Sequence, residues 1–208
     1  MKKIIAWVIA CLLVAAAAGS YIYVNHAEKQ RSAQLAKAAA KTKKMHQNHM
    51  RYPIDWKKSS QTISYPKIQH PRMDNLKVKV SLARQRLYIF SKNEKIYTMY
   101  ISASWKRAKK SNRVVPGNYR LQDQRGSFYY TPAIGEGGKY WVAWKKSGQN
   151  LIQSVPINEQ RNFLQAQASL LGDTQDIPNT HGNIWLAVKD AKWFYNNIPS
   201  ETKLIIRR

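Results

Sequence analysis

The C-terminal part of the chain alternates apolar and polar residues with the period of two that is typical of a half-buried β-strand. Leu76, Val78, Val80 and Leu82 are apolar, and the residues between them are polar. Aromatic and β-branched segments predict a hairpin from RLYIF and KIYTMYIS, further strands at NYRL, KYWVAW and NLIQSV, and a last strand at TKLIIRR. The pattern therefore predicts a mainly β domain over residues 74–208.

Two short helices are predicted among these strands. The first runs from about Asn158, a favourable N-cap residue, to Leu171, and Gly172 is placed to end it. The second spans about Asp190 to Asn197. Many strands with two short helices indicate a single β-rich domain around one core.

Residues 1–24 have a different character from the rest of the chain. Lys2 and Lys3 precede an uncharged, largely apolar run, Ile4–Val24. About 20 apolar residues in a helix cross a bilayer core, so the run predicts a transmembrane anchor. Its small residues, AAAAGS, also suit a cleaved secretory signal, which stays open as the alternative. Lysines and arginines beyond the run leave its orientation open.

Residues 25–73 predict a basic stalk. Their first part is rich in Ala, Lys and Gln, which favour helix but here lack a sustained apolar face. Pro53, Pro66 and Pro71 then exclude long regular elements. We therefore expect a linker between the N-terminal segment and the β-rich domain.

The net charge of +24 predicts an anionic partner. Nucleic acid, anionic lipid and anionic wall polymers would all be attracted, but no nucleic-acid-binding motif is present. The single cysteine, Cys11, lies in the apolar run, so residues 25–208 offer no thiol nucleophile, disulfide or zinc–thiolate site. No metal site and no cofactor are predicted.

Several sequence blocks occur in an order that identifies a family. They are VKVSLARQRLYIF, KIYTMYISAS, VVPGNYRL, GSFYY, KYWVAWKKSGQNLIQSVP and THGNIWLAVKDAKWFYNNIPSETKLII. Over residues 74–208 the chain resembles the L,D-transpeptidase catalytic domain (YkuD-type), in the form found in lactic-acid bacteria. The resemblance implies a β-sandwich-like scaffold around a cleft, a location outside the cytoplasm at the cell wall, and peptidoglycan stem peptides as partners.

Active members of this family carry Ser/Thr-His-Gly-Cys-Ile/Val-Arg and an earlier histidine before Ser-Val-Pro. The cysteine thiolate attacks a stem peptide, D-alanine leaves, and an amine from a neighbouring stem resolves the acyl-enzyme. Backbone N–H groups at the Gly-Cys turn hold the developing oxyanion. These features are what the resemblance implies for an active relative.

The corresponding positions of this chain depart from that motif. Thr180, His181, Gly182 and Ile184 match it. The three replacements are Asn183 for the cysteine, Gln153 for the earlier histidine and Trp185 for the arginine, and Ser104 stands where glycine is usual. A carboxamide is not a nucleophile and does not accept a proton near neutral pH, so catalysis at this site is not expected.

Two hydroxyls are the alternative nucleophiles. Thr180 and Ser154 lie near His181 in the motif blocks, and a hydroxyl–histidine pair could attack an acyl group. The competing interpretation gives Thr180 and His181 structural hydrogen bonds in their loop. Under that interpretation the degenerate site keeps only a binding role.

Six residues form the predicted binding site: Gln153, Ser154, Thr180, His181, Asn183 and Trp185. Carboxamides donate and accept hydrogen bonds and therefore suit a peptide amide. Trp141, Trp144 and Tyr140 offer flat surfaces for sugars, but a core role is favoured for any single tryptophan, because YWVAW alternates with either Trp141 or Tyr140 facing inward. The indole of Trp185 is expected to fill part of the cleft.

The sequence leaves three functional hypotheses. The first is a membrane-anchored, inactive transpeptidase homologue that faces the cell wall and binds peptidoglycan or teichoic-acid-like polymers, or regulates a partner. The second is an active transpeptidase with an atypical nucleophile. The third, a cytoplasmic protein bound to nucleic acid, requires the N-terminal segment to have the opposite orientation.

Overall fold

The chain divides into two compact units, Met1–Met45 and His46–Arg208. The structure is a computed structural model, and it describes residues 7, 19–34, 49–69, 75–106, 112–145, 148, 150–175 and 177–208. The predicted anchor, Ile4–Val24, therefore lies mostly outside the described residues.

The described part of the first unit is helical. Helix α1 includes residues 19–34, and Tyr21, Ile22, Tyr23 and Val24 expose more than half of their surface on it. Among the described residues, no helix combines the length and apolar character that a membrane crossing requires.

Nine strands form one sheet in the described part of the second unit. Their bounds are β1 Lys77–Ser81, β2 Arg86–Ser91, β3 Glu94–Ser102, β4 Gly117–Arg120, β5 Arg125–Thr131, β6 Glu136–Ala143, β7 Leu151–Ser154, β8 Ile184–Leu186 and β9 Lys203–Arg207. Each strand predicted from the sequence is present. Strands β5 and β8, which were quoted only as family blocks, complete the sheet.

The order of strands in the sheet is β4-β9-β1-β2-β3-β8-β7-β6-β5. Strand β3 joins the two halves, because it pairs with β2 over most of its length and with β8 through Ile101 and Ser102 at its end. Most neighbours are antiparallel, whereas β1 pairs with β9 and β7 pairs with β8 in parallel.

One main core connects the two halves of this sheet. Val78 and Leu204 from one half share a cluster of buried apolar residues with Val142, Ile152 and Ile184 from the other. The resemblance implied a β-sandwich-like scaffold, and the strands form one continuous sheet that curls around this core. The mainly β architecture with two short helices in the domain is confirmed.

The first of these helices is shorter than predicted. Helix α2 spans Gln165–Ser169 only, so the predicted start at Asn158 was wrong. The Asn158 side chain accepts a hydrogen bond from the Asn162 N–H and closes a turn, in which Arg161 has a positive φ of 64°. Helix α3, Val188–Asn197, matches the second predicted helix and begins two residues earlier.

Part of the predicted stalk packs on the β-rich domain. The second unit begins at His46, so residues 49–69 belong to it, which differs from the expected boundary at residue 74. Ser60 is buried, accepts a hydrogen bond from the Tyr100 N–H of β3 at 2.7 Å, and donates to the carboxylate of Asp190 on α3. Tyr65 donates to the same carboxylate at 2.7 Å. A buried carboxylate thus ties the segment to the sheet.

This carboxylate predicts a dependence of stability on pH. Burial raises the pKa of Asp190 from 3.8 to about 6, against the opposing effect of the hydrogen bonds from Ser60 and Tyr65. Between these two values the folded protein keeps a proton that the unfolded chain has released. The free energy of unfolding should therefore fall as pH rises through this interval, by about 3 kcal/mol relative to Asp190→Asn.

Urea denaturation at a series of pH values measures the difference in the free energy of unfolding between the wild type and Asp190→Asn. Asp123→Asn, which removes an exposed carboxylate, is the matched control and should follow the wild type. A constant difference between wild type and Asp190→Asn from pH 4 to 7 would contradict the prediction.

Candidate active site

The candidate site lies where β7 and β8 run side by side. Gln153 on β7 and Trp185 on β8 are partners in the parallel register, and Trp185 is also the partner of Ser102 on β3. Partners in a register project to the same face of a sheet. Two of the three replaced positions are therefore neighbours, on the face opposite to the core residues Ile152 and Ile184.

A tight turn places the third replaced position beside them. His181 and Gly182 have positive φ values of 51° and 80°, and the Asn183 N–H donates to the Thr180 carbonyl at 2.8 Å. These are the features of a type I′ turn. The Asn183 N–H, at the position where active relatives offer an oxyanion donor, is thus bound within the turn of this chain.

The side chain of Asn183 has a structural partner. Its Oδ1 accepts a hydrogen bond from the Leu151 N–H at 2.9 Å, and the residue is 8% exposed. The neighbouring Gly182 carbonyl accepts from Asn150 Nδ2 at 2.9 Å. The carboxamide therefore joins the turn to the start of β7, in the place where an active relative holds a thiolate.

The side chain of Gln153, on strand β7, is also held in place by a hydrogen bond. It is 1% exposed, and its Oε1 accepts a short hydrogen bond from the Tyr129 hydroxyl. Burial raises the pKa of Tyr129 to about 12, so the phenol keeps the proton that it donates. A Cβ atom on Gly138 would lie 2.7 Å from Gln153 Cδ, so a larger residue at position 138 would displace the Gln153 carboxamide.

The two alternative nucleophiles are both buried and hydrogen-bonded. Thr180 Oγ1 accepts from the Ser104 N–H at 3.1 Å and lies 3.1 Å from Ser104 Oγ. Ser154 Oγ accepts from the Lys139 N–H at 3.0 Å and donates to the Val155 carbonyl at 2.8 Å. Neither hydroxyl is presented to a substrate, and Thr180 has the structural role that the sequence left open.

His181 is the most accessible of the predicted site residues. Its side chain is 26% exposed, and its Nε2 lies 3.9 Å from Glu136 Oε2. The two side chains form an ion pair when the imidazole is protonated. Burial raises the pKa of Glu136. The His181 N–H donates to Asn179 Oδ1 at 3.1 Å. The turn thus presents an imidazole with an acidic neighbour and no activated nucleophile.

The aromatic residues considered as sugar platforms are buried or half-buried. Trp185 is 1% exposed, and its Nε1 has no hydrogen-bond partner among the described residues. Trp144 is 2% exposed in the core, and Tyr140 packs against that core. Trp141 is half-buried and donates from Nε1 to the Phe128 carbonyl at 3.2 Å.

Four residues of the site were missed by sequence reasoning: Tyr129, Glu136, Gly138 and Asn150. The pair of glycines at 137 and 138 was the available signal, because two glycines inside a strand often mark a close approach. Residues 104–113, SWKRAKKSNR, carry five positive charges and predict a basic loop, which lies partly outside the described residues. Among the described residues, no group of three His, Cys, Asp or Glu side chains could hold a metal ion.

The fold and the motif together define a transpeptidase-type domain. A family model described as the L,D-transpeptidase catalytic domain (YkuD) matches residues 75–206. The chain is also 34% identical over 153 residues to "Putative L,D-transpeptidase YciB" of Bacillus subtilis (strain 168). The alignment covers 74% of each chain. The chain therefore belongs to the L,D-transpeptidase family.

Solved structures share this fold at low sequence identity. An L,D-transpeptidase from Mycobacterium smegmatis superposes with a TM-score of 0.50 at 13% identity, over 64% of this chain and 59% of that one. An L,D-transpeptidase from Mycobacterium tuberculosis H37Rv superposes with a TM-score of 0.50 at 15% identity, over 64% of this chain and 58% of that one. The chain thus spans less than two thirds of these structures.

Proposed function

We propose that this protein is a catalytically inactive member of its family that binds peptidoglycan stem peptides without cross-linking them. One observation carries the proposal: Asn183 occupies the nucleophile position, and its side chain is bound to the Leu151 N–H. A carboxamide nitrogen is delocalised and does not attack an acyl carbon. Loss of the nucleophile from a covalent mechanism removes several orders of magnitude in rate.

The surroundings of Asn183 support the same conclusion. Gln153 replaces the earlier histidine and accepts from Tyr129, so this position offers no proton acceptor for a nucleophile. The alternative, an active enzyme with a hydroxyl nucleophile, requires a free hydroxyl next to His181. Thr180 Oγ1 and Ser154 Oγ are instead buried in hydrogen bonds.

The proposed location is the outer face of the cytoplasmic membrane. The apolar run Ile4–Val24 would anchor the chain, the basic stalk would follow, and the β-rich domain would face the wall. The net charge of +24 suits a matrix of anionic wall polymers. Peptidoglycan stem peptides, the substrates of the family, are the partners that this location offers to the cleft.

The proposed contact surface is the turn at His181. His181 and Glu136 are both partly exposed there, with side-chain exposures of 26% and 17%. Gln153, Ser154, Thr180 and Trp185 are buried and are not exposed for such a contact. A stem peptide, which carries both charged groups and amides, would contact the imidazole and the carboxylate.

Titration calorimetry with a soluble tetrapeptide stem tests this proposal on the full chain. The wild type should bind the peptide, and mass spectrometry should recover the peptide unchanged. His181→Ala should weaken binding about three- to tenfold, because one hydrogen bond is lost. His49→Ala, a histidine outside the turn, should leave binding unchanged. No heat of binding at millimolar peptide would contradict the proposed binding role.

A further inference from the structure

We propose that the domain has a second binding site, for a linear phosphodiester polymer, on the outer face of the sheet. A groove of about 450 Å³ lies there over strands β1, β2, β3 and β9. We call it the cationic groove and define it by Lys79, Arg84, Arg86, Lys95 and Arg207, with Met50 at its rim. These residues are distinct from those around Asn183, so the site is additional to the cleft.

The charge of the groove has one sign. Five of the lining residues are lysine or arginine, and none is aspartate or glutamate. Arg86 donates to the carbonyls of Arg84, Gln85 and Gly172, so its positive charge is held in place without being neutralised. Arg207 likewise donates to the Gly117 carbonyl and to Asn118 Oδ1. Such a surface attracts and orients an anion.

The alternation of the strands produces this surface. Val78 and Val80 of β1 face the core, which turns Lys79 and Ser81 outward. In the register, Ser81 is the partner of Arg86 on β2 and of Arg207 on β9. Neighbouring strands are about 4.8 Å apart, so the two guanidinium groups extend from strands on either side of β1.

The length of the groove favours a chain rather than a single ion. Lys95 is the register partner of Phe90, and Arg86 lies four residues before Phe90 on the same strand. Four residues of a β-strand span about 14 Å. The cations are therefore distributed along the strands, which suits an extended polymer with one negative charge in each short repeat.

The aromatic rings of the groove disfavour nucleic acid. Proteins that bind single strands stack bases on open ring faces. Here Lys79 Nζ lies 4.4 Å above the Phe90 ring, and Lys95 Nζ lies 5.7 Å from the Tyr88 ring. Ammonium groups cover these faces, so the groove offers charge without a stacking platform. A phosphodiester polymer that carries no bases matches it better.

The shape of the groove disfavours a membrane surface. Proteins that bind a bilayer surface insert exposed apolar side chains into it. The large apolar side chains that the described part of this unit exposes are Tyr52, Val115 and Ile134, and none of them lines the groove. A concave cationic surface fits a flexible chain and cannot lie flat against lipid headgroups.

Fluorescence anisotropy with a labelled poly(glycerol phosphate) chain tests the site on the full-length protein. Lys79→Gln with Arg207→Gln should weaken binding about tenfold at low salt, because two positive charges of the groove are lost. The slope of log Kd against log salt concentration should fall by about 1.4, because each phosphate contact on a single-stranded chain contributes about 0.7 to the slope and two contacts are lost.

Lys67→Gln with Lys189→Gln is the matched control, because it removes the same charge from exposed positions outside the groove. Equal weakening by both double variants would overturn the proposal, as would the absence of binding. Tighter binding to a single-stranded oligonucleotide of equal charge, or to vesicles of phosphatidylglycerol, would also overturn it. Tetrapeptide binding should be unchanged in the groove variant, so the two sites are tested separately.

Discussion

Replacing Trp185 with arginine, the residue that active relatives carry at this position, should unfold the domain. Trp185 is 1% exposed, and truncating a buried aromatic side chain costs about 3–5 kcal/mol. An arginine also places a charge in this buried position, which adds several kcal/mol. The sum of about 5 kcal/mol or more approaches the whole stability of a typical domain.

Trp185→Phe is the matched variant for this prediction. It keeps an aromatic ring and removes the indole N–H, which has no partner among the described residues, so we expect a loss of about 1–2 kcal/mol. Circular dichroism during urea denaturation measures both variants. A stability of Trp185→Arg within about 1 kcal/mol of Trp185→Phe would contradict the prediction and would mean that position 185 opens to solvent.

Restoring the two reacting groups, Asn183→Cys with Gln153→His, should create acyl transfer in a protein that we propose to be inactive. Asn183 Oδ1 contacts the Leu151 N–H, and Leu151 precedes Gln153 by two residues, so the new thiol and imidazole extend from the same strand pair. The imidazole lowers the pKa of the thiol and supplies the thiolate. Trp185 stays in place, because the fold depends on it.

The double variant should release D-alanine from a tetrapeptide at least about 100-fold faster than either single variant, because the two groups act as a unit. The pH dependence of thiol alkylation gives an independent measure, since the thiol of the double variant should react at lower pH than that of Asn183→Cys alone. A folded double variant without any release would show that the loss of function extends beyond the reacting groups, with Trp185 the first residue to examine.

The sequence predicted the strands well because each has a clear local signal. Alternation at Leu76–Leu82 and the aromatic segments correspond to strands of the sheet. The first helix was predicted too long, because Asn158 is a favourable cap residue whether it starts a helix or closes a turn. The continuity of the sheet depends on the short pairing of β3 with β8, which has no signal in either segment alone.

The residues of the candidate site could be named from the sequence, but the hydrogen bonds of their side chains could not be predicted from it. The motif identified Asn183, Gln153 and Trp185 as neighbours in function, and the register confirms that the last two are neighbours in space. Two hydrogen bonds join residues that are distant in sequence: one runs from Leu151 to Asn183, and the other from Tyr129 to Gln153. Such contacts follow from the assembled sheet, so they became visible only in the structure.

The packing of residues 49–69 was missed for a related reason. The prolines and the basic composition of this segment indicated a linker, and its buried contact depends on Ser60 and on Asp190, which is far away in the chain. A lone aspartate in an amphipathic helix gives no sign that it is buried. The same segment supplies Met50 to the rim of the cationic groove.

The most direct test of the central claim is release of D-alanine by the wild-type chain. The full-length protein is incubated with a tetrapeptide donor and an acceptor stem, and mass spectrometry follows free D-alanine and the cross-linked product. We expect neither above the enzyme-free blank, while the Asn183→Cys, Gln153→His variant in the same assay shows that release is detectable. Catalytic release by the wild type, abolished by His181→Ala, would contradict the account, because it would require a nucleophile that this site does not contain.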